Sequence, residues 1–200
     1  MIKRAFDVCL SFMGLVLSSP LWAIIAGAIR IEDGGPVFFT QARVGLGGLP
    51  FRAFKFRSMA VDAHGLSARQ ASARDPRVTR VGALLRATAM DELPQLWNIF
   101  KGDMSFVGPR PLMPGEIEVR GDGRNVPLDA VPGYEARHSV RPGLTGLTQV
   151  FAARDVRRAS KFRLDLVYIR RASLWLDLRL VALSFWITFR GRWEHRGPKL

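Results

Sequence analysis

The chain has 200 residues, of which 48% are hydrophobic; this is enough for one packed domain, with or without a short membrane element, and excludes a disordered or collagen-like chain. Its formal charge of +13 at pH 7 is compatible with nucleic acid, an anionic membrane surface or a phosphate-bearing substrate as partner. The single cysteine, Cys9, excludes an internal disulfide framework, and the three scattered histidines offer no ligand pair, so any metal must be held by carboxylate and phosphate oxygens.

The N-terminal region contains 22 consecutive residues without a charge, at positions 8–29, which is long enough to reach across a bilayer. Three structures compete for this segment: a signal peptide, a single transmembrane helix, and a helix that enters the membrane, bends and returns. The apolar stretch is longer than that of a typical signal peptide. A straight span remains open, because transmembrane helices tolerate a proline such as Pro20.

The charges that flank this segment favour the re-entrant alternative. Positive charge favours the cytoplasmic side of a membrane, and here it lies at both ends, with Lys3 and Arg4 before the segment and Arg30 after it. Asp7 would also be costly to carry across the hydrocarbon. We therefore expect residues 1–33 to form a re-entrant membrane helix, broken at Ser19 and Pro20.

A β-hairpin is predicted over residues 36–59, with two apolar-aromatic runs around a turn rich in glycine. Strict alternation places Phe54 and Phe56 on one face, and Lys55 and Arg57 on the other. The basic face is either solvated or holds an anion. Residues 61–77, which are polar and rich in Ala and Arg, are expected to form a surface segment.

A helix is predicted over residues 91–102, because apolar residues recur at helical spacing, acids and proline occupy its first turn, and a glycine ends it. Asp91 and Glu92 then lie at its positive end. Thr88 and the acids also fit an ordinary capping box without catalysis. Arg86 one turn earlier, and Arg110 between Pro109 and Pro111, instead suggest a phosphate-handling site, since a guanidinium binds phosphate bidentately.

Two further segments bear on the site and on the membrane. Residues 141–146, Arg-Pro-Gly-Leu-Thr-Gly, form a rigid turn that could approach a ligand closely. Residues 172–190 are amphipathic and rich in leucine and tryptophan, next to arginines, which is typical of a helix in the headgroup layer. An ordinary core helix with a basic last turn is the alternative.

The sequence resembles the bacterial sugar transferases, the monotopic polyprenyl-phosphate phosphoglycosyl transferases. The most specific matches are Asp-Glu-Leu-Pro-Gln-Leu-Trp-Asn at 91–98 and Gly-Asp-Met-Ser-Phe-Val-Gly-Pro-Arg-Pro at 102–111. Further matches in the same order lie at residues 3–7, 19–20, 36–41, 54–59, 86, 137–138 and 140–146. The resemblance covers nearly the whole chain, and it is to the small members that consist of the catalytic domain.

The resemblance implies a mixed α/β fold, mostly helical with a small β-hairpin, in which the re-entrant helix and interfacial helices support a catalytic domain over residues 34–200. It places the protein on the cytoplasmic face of the bacterial inner membrane. It also implies transfer of a sugar 1-phosphate from a UDP-sugar to polyprenyl phosphate, releasing UMP through a covalent phosphosugar–Asp intermediate, with Mg²⁺ as cofactor. Such a reaction initiates the synthesis of a membrane glycoconjugate or polysaccharide.

By this resemblance Asp91 is the nucleophile and a Mg²⁺ ligand, and Glu92 is its catalytic partner. The residues expected to bind substrate or phosphate are Lys55, Arg86, Arg110, Pro111, Arg141 and Thr145. The expected partners are a UDP-sugar, polyprenyl phosphate and membrane lipids, with no nucleic acid and with homo-oligomerisation left open.

Some residues depart from the family pattern, and one acid that matches it has no role that the resemblance assigns. Leu147 and residues 151–153, Phe-Ala-Ala, differ from the pattern and put sugar or nucleotide recognition there in doubt. Asp165 matches a family acid, and we expect it to form a structural salt bridge. The alternative function is a catalytically inactive, membrane-tethered scaffold or polyanion-binding protein.

Overall fold

The computed structural model describes residues 2–60, 75–119, 124–153 and 156–190. Its helices are α1 (Ile2–Asp33), α2 (Arg80–Ala87), α3 (Gln95–Lys101), α4 (Tyr134–Arg137), α5 (Leu147–Phe151), α6 (Arg158–Arg171) and α7 (Leu174–Phe189). Its strands are β1 (Phe38–Val44), β2 (Pro50–Phe56), β3 (Ser105–Val107), β4 (Ile117–Val119), β5 (Asn125–Pro127) and β6 (Gly143–Thr145). The fold is thus mixed α/β and mainly helical, as predicted. Most of the predicted surface segment at 61–77 lies outside the described residues.

Helix α1 runs continuously through Pro20, where the sequence led us to expect a break. A proline cannot donate to the carbonyl four residues earlier, which here is that of Val16. The Ser19 hydroxyl donates to this carbonyl at 2.8 Å, and the Ser18 hydroxyl donates to Gly14 O at 2.6 Å. The two hydroxyls therefore help to accommodate the proline inside the helix. By length and composition α1 could cross a membrane.

Both ends of α1 are bound to the same folded body. Near its start, Arg4 donates to the carbonyls of Ile99 and Phe100 at 2.6 and 2.7 Å, and Lys3 Nζ lies 2.5 Å from Asp177 Oδ2. At its end, Asp33 forms an ion pair with Arg57, and Glu32 accepts from the first backbone N–H groups of α2. Most of the exposed apolar side chains of α1, among them Phe12, Val16 and Leu17, lie between these two anchors.

The predicted hairpin is confirmed, since β1 and β2 pair antiparallel with Phe39 opposite Lys55. The turn between them needs Gly47 and Gly48, whose φ values of 65° and 79° lie in the left-handed region. The aromatic face packs on α1, where the ring centroids of Trp22 and Phe56 are 5.3 Å apart. Burial of this face fixes the register of β2 and therefore the direction in which Lys55 points.

The main core lies beneath α3, α5, α6 and α7. Its fully buried side chains include Ile99, Met104, Val107, Leu180 and Ile187. Burying five such side chains contributes on the order of 10 kcal/mol before the entropy cost of folding. This core supports the short parallel pair of β3 and β6, from which the loop that carries Arg110 leaves the sheet.

The loop after β3 is held against β6 by close backbone approach. Gly108 N donates to Thr145 O and Gly143 N donates to Pro109 O, both at 2.9 Å. A Cβ on Gly143 would lie 2.0 Å from Gly108 N, so this position accepts only glycine. Half of the predicted turn at 141–146 is strand β6, which therefore contacts the neighbouring loop closely, and this contact fixes the start of the Arg110 segment.

Candidate active site

Asp91 and Glu92 lie in a separate 3-10 turn, Met90–Glu92, and α3 begins only at Gln95. The sequence-based prediction of one helix from residue 91 was wrong at its start. In a continuous α-helix residue 94 would donate to Met90 O, but Pro94 has no N–H, and Leu93 N donates to that carbonyl instead at 3.2 Å. The acids therefore precede α3.

The capping-box alternative also fails in the structure. Ala89 occupies the cap position of the 3-10 turn in the left-handed conformation, with φ 55°, and no side chain caps the turn. The Thr88 hydroxyl instead donates back to Leu84 O in α2 at 2.8 Å. The sharp turn at Ala89 redirects the chain between α2 and the two acids.

Lys55 joins the two acids to β2. Its Nζ lies 2.5 Å from Glu92 Oε1 and 3.7 Å from Asp91 Oδ2, and these side chains are mostly buried. Arg57, the other cation of the predicted basic face, is paired with Asp33. Both cations of the predicted basic face therefore form ion pairs. The alternation along β2 places Lys55 on the face that contacts the acids.

Lys55 and Glu92 line a small open cleft, and Asp91 lies beside it, 3.7 Å from Lys55 Nζ. Arg110 and Pro111 line it, as does Arg43, which the sequence analysis missed. Arg43 reaches from β1 and donates to Gln41 Oε1 at 2.6 Å and to Pro111 O at 3.2 Å. The remaining lining residues are Ala53, Lys55, Glu92, Gln95, Gly143 and Leu144.

The electrostatics of the cleft favour an ionised Glu92. Burial raises the pKa of Glu92, but the charges of Lys55, Arg110 and Arg43 lower it further, so the pKa lies below its usual value. Burial lowers the pKa of Arg43 to about 10, with Arg110 acting in the same direction, and Arg43 stays protonated at neutral pH. A carboxylate and three cations thus share one cleft, an arrangement suited to an anionic ligand.

The loop that carries Arg110 is supported from behind by a buried ion pair. Arg137 donates to Arg110 O at 2.7 Å and lies 2.9 Å from Asp165 Oδ2. Asp165 also accepts from the Thr148 hydroxyl at 2.6 Å. The expectation of a structural salt bridge at Asp165 is confirmed. A regular spacing could not have revealed this contact, because it joins residues 28 apart.

Four residues from the predicted site lie outside the lining of the cleft: Asp91, which contacts the lining residue Lys55, and Arg86, Arg141 and Thr145. Arg86 occupies the last turn of α2, where its charge acts on Asp75. Arg141 donates to Gly102 O at the end of α3 at 2.7 Å, and the Thr145 hydroxyl is hydrogen-bonded to Ser184. The structure thus brings Lys55, Asp91, Glu92, Arg110 and Pro111 together and places the other three around them.

The donor set suits a metal ion that arrives with its substrate. Among the residues that the structure describes, no three His, Cys, Asp or Glu side chains form a metal-holding group. Mg²⁺ is commonly held by one or two carboxylates together with substrate phosphates and water. Asp91 and Glu92 can supply these carboxylates, so the residues present fit such an ion.

The chain matches the family model for bacterial sugar transferases over residues 1–191. The chain belongs to the bacterial sugar transferase family. It is 45% identical over 188 residues to an undecaprenyl-phosphate glucose phosphotransferase of Komagataeibacter xylinus, with 91% of this chain and 35% of that protein covered. The chain thus spans about a third of the length of that relative.

One further relative is similar to this chain in length, and another is named for a sugar other than glucose. The exopolysaccharide production protein PSS of Rhizobium leguminosarum bv. phaseoli is 38% identical over 186 residues, with 90% of this chain and 91% of that protein covered. An Aeromonas hydrophila protein named for transfer of N-acetylgalactosamine phosphate to undecaprenyl phosphate is 42% identical over 183 residues, with coverages of 90% and 42%. The family therefore includes named glucose and N-acetylgalactosamine enzymes.

Proposed function

We propose that the protein transfers a sugar 1-phosphate from a UDP-sugar to undecaprenyl phosphate and releases UMP, and so initiates the synthesis of a membrane polysaccharide or glycoconjugate. The observation that carries this proposal is the contact of Lys55 with both Asp91 and Glu92, at the edge of a cleft that Arg43 and Arg110 also line. The names of the relatives from Komagataeibacter xylinus and Aeromonas hydrophila support the reaction class.

In the first step an Asp91 carboxylate oxygen attacks the β-phosphorus of the UDP-sugar. A bond forms between that oxygen and phosphorus, the bond from the β-phosphorus to the bridging oxygen breaks, and UMP leaves with the electron pair. In the second step an oxygen of undecaprenyl phosphate attacks the same phosphorus and Asp91 departs. The product is an undecaprenyl diphosphate sugar.

The cations have separate tasks in these steps. Lys55 lies close to both acids and holds Glu92 as a carboxylate beside the nucleophile. Arg43 and Arg110 approach from β1 and from the loop after β3, where they can bind the diphosphate oxygens as charge moves to the leaving group. Asp91 would hold Mg²⁺, and the ion would supply neutralisation of phosphate charge.

We further propose that α1, although its helix is unbroken at Pro20, enters only one leaflet and has both ends at the cytoplasmic face of the inner membrane. Its two ends are bound to one body by charged contacts, at Lys3 and Arg4 near the start and at Glu32 and Asp33 near the end. A straight span would separate these ends across the bilayer. This topology would put the cleft at the surface where a water-borne nucleotide sugar and a lipid-borne phosphate meet.

The test is UMP release by the purified protein in vesicles that contain undecaprenyl phosphate, Mg²⁺ and one UDP-sugar at a time. We expect lipid-dependent release by wild type, loss in Asp91→Asn, and wild-type release in Glu135→Gln, which removes an exposed carboxylate outside the cleft. A ³²P-sugar adduct trapped on another residue would reject Asp91 as nucleophile. No release with any UDP-sugar would favour the scaffold or polyanion-binding alternative.

A further inference from the structure

Helix α7 presents one apolar face to solvent along its whole length. The exposed side chains Trp175, Leu178, Phe185, Trp186 and Phe189 recur at helical spacing, and each is at least 41% exposed. The opposite face, with Asp177, Leu180 and Ile187, is fully buried in the body. In the described structure this stripe of large apolar side chains is uncovered, although the helix is firmly packed behind it.

The charges around this stripe are positive. Residues 156–190 contain eight Arg or Lys residues and two acids, Asp165 and Asp177. Both acids are buried and neutralised inside the body, by Arg137 and Lys3 respectively. The exposed charges of this segment are therefore cationic, and they are those of Arg157, Arg163, Arg170, Arg171, Arg179 and Arg190.

Arginine and tryptophan meet at both ends of the stripe. Arg179 follows Trp175 by one helical turn, and Arg171 precedes that tryptophan at the exposed corner between α6 and α7. At the far end, the Arg190 guanidinium lies 5.4 Å from the Trp186 ring centroid. Tryptophan favours the boundary between hydrocarbon and headgroups, where a neighbouring guanidinium can bind a phosphate group.

From this pattern we propose that the α6–α7 corner and the exposed face of α7 bind anionic phospholipid headgroups, of the phosphatidylglycerol type, in preference to zwitterionic ones. A phospholipid can contact both the apolar stripe and the arginines around it. Its acyl chains cover the stripe, and its phosphodiester group pairs with the arginines. A dissolved polyanion would leave the stripe exposed to water. The inference rests on the proposed membrane position of α1, to which α7 is tied by Lys3 and Asp177, and is independent of the transfer reaction.

The experiment measures which lipid lies next to the corner. Ala172, which is exposed there, is changed to cysteine in a Cys9→Ser background and labelled with a bimane fluorophore. The protein is reconstituted into phosphatidylcholine vesicles with a fixed fraction of phosphatidylglycerol. A trace of one lipid or the other carries a nitroxide quencher on its acyl chain, at equal mole fraction.

We expect stronger quenching from phosphatidylglycerol than from phosphatidylcholine, by up to about fivefold for one well-placed cation, the equivalent of about 1 kcal/mol. The double variant R171Q/R179Q should bring this ratio close to one. The charge-matched variant R52Q/R124Q removes exposed arginines from other parts of the chain and should keep the wild-type ratio.

Three outcomes would overturn the proposal: equal quenching by the two lipids in wild type, an unchanged ratio in R171Q/R179Q, or weak quenching by both. The last result would mean that protein, such as a second copy of this chain, covers the corner. UMP release is measured in the same vesicles. Loss of release with a retained lipid preference would reject the proposed reaction alone.

Discussion

Arg43 is held more firmly than Arg110, the other arginine of the cleft. Its guanidinium is held by Gln41 Oε1 and Pro111 O, whereas Arg110 is exposed to solvent. A side chain that is already ordered loses little entropy when it binds a ligand. These two hydrogen bonds use one N–H donor on each terminal nitrogen. Since a guanidinium has five N–H donors, the remaining donors of Arg43 can bind a phosphate.

We therefore predict that Arg43→Gln lowers kcat/KM for the UDP-sugar about 100-fold, because one fixed charge that faces the diphosphate is lost. Initial rates of UMP release at varied UDP-sugar concentration measure this effect. Arg52→Gln, which removes an exposed arginine of the same hairpin, should change kcat/KM less than twofold. Similar rates in R43Q and R52Q would show that Arg43 does not contact substrate.

His138 should make stability depend on pH. Burial and then the charge of Arg137 lower its pKa from 6.5 to about 4, so the folded protein keeps it neutral. Between these values the unfolded chain binds the extra proton, and stability falls as pH decreases from 6.5 to 4, by at most about 3 kcal/mol. Thermal unfolding in detergent at several pH values measures this fall. His138→Gln should show a shallower slope over that window, and parallel curves would contradict the assignment.

At the scale of elements, one buried amide joins the strand of Lys55 to the helix that follows the two acids. Asn98 is fully buried in α3; its Nδ2 donates to Arg52 O at 2.7 Å, and its Oδ1 accepts from Phe54 N at 2.9 Å. Both partners belong to β2, next to Lys55. The relative position of Lys55 and the acids is therefore set by this contact across the two elements.

Asn98→Ala should remove both bonds, together with the bond from Nδ2 to Asp103 Oδ2 at 3.0 Å, and leave two backbone groups of β2 without a partner, at a cost of about 2–3 kcal/mol. The expected decrease in melting temperature is about 5–10 °C for a chain of this size. UMP release at a temperature where the variant is folded should fall as well, because β2 is no longer held against α3. Asn125→Ala, at an exposed position of β5, is the control. A fully active N98A protein would show that the amide serves stability alone.

The elements that sequence could predict are those with local causes. The hairpin follows from alternation and a glycine-rich turn, and the amphipathic run at residues 172–190 follows from helical spacing. The predicted start of α3 was wrong because a proline such as Pro94 suits a first helical turn as well as a helix boundary. Arg43 was missed because its position in the cleft depends on Pro111, 68 residues away. Contacts of this range leave no periodic pattern in the sequence.

At the scale of the whole molecule, contacts at both ends of α1 join it to the body. A helix of 32 residues is about 48 Å long, more than the roughly 30 Å of bilayer hydrocarbon. If it spanned the bilayer with its contacts intact, part of the charged body would have to enter the hydrocarbon, which is costly. Placing the exposed apolar side chains of α1 in one leaflet, with both ends in the headgroup layer, avoids this cost.

Single cysteines at Ile2 and Ile31, in a Cys9→Ser background, test this topology. These side chains are 74% and 88% exposed, whereas Lys3 and Asp33 are engaged in ion pairs that a label would disturb. With a membrane-impermeant maleimide, both positions should react from the face at which a cysteine at Glu135 reacts. A cysteine at Leu17, 79% exposed in the apolar middle of α1, should stay protected by lipid. Labelling of positions 2 and 31 from opposite faces would require that α1 spans the membrane once and that one set of its end contacts is broken.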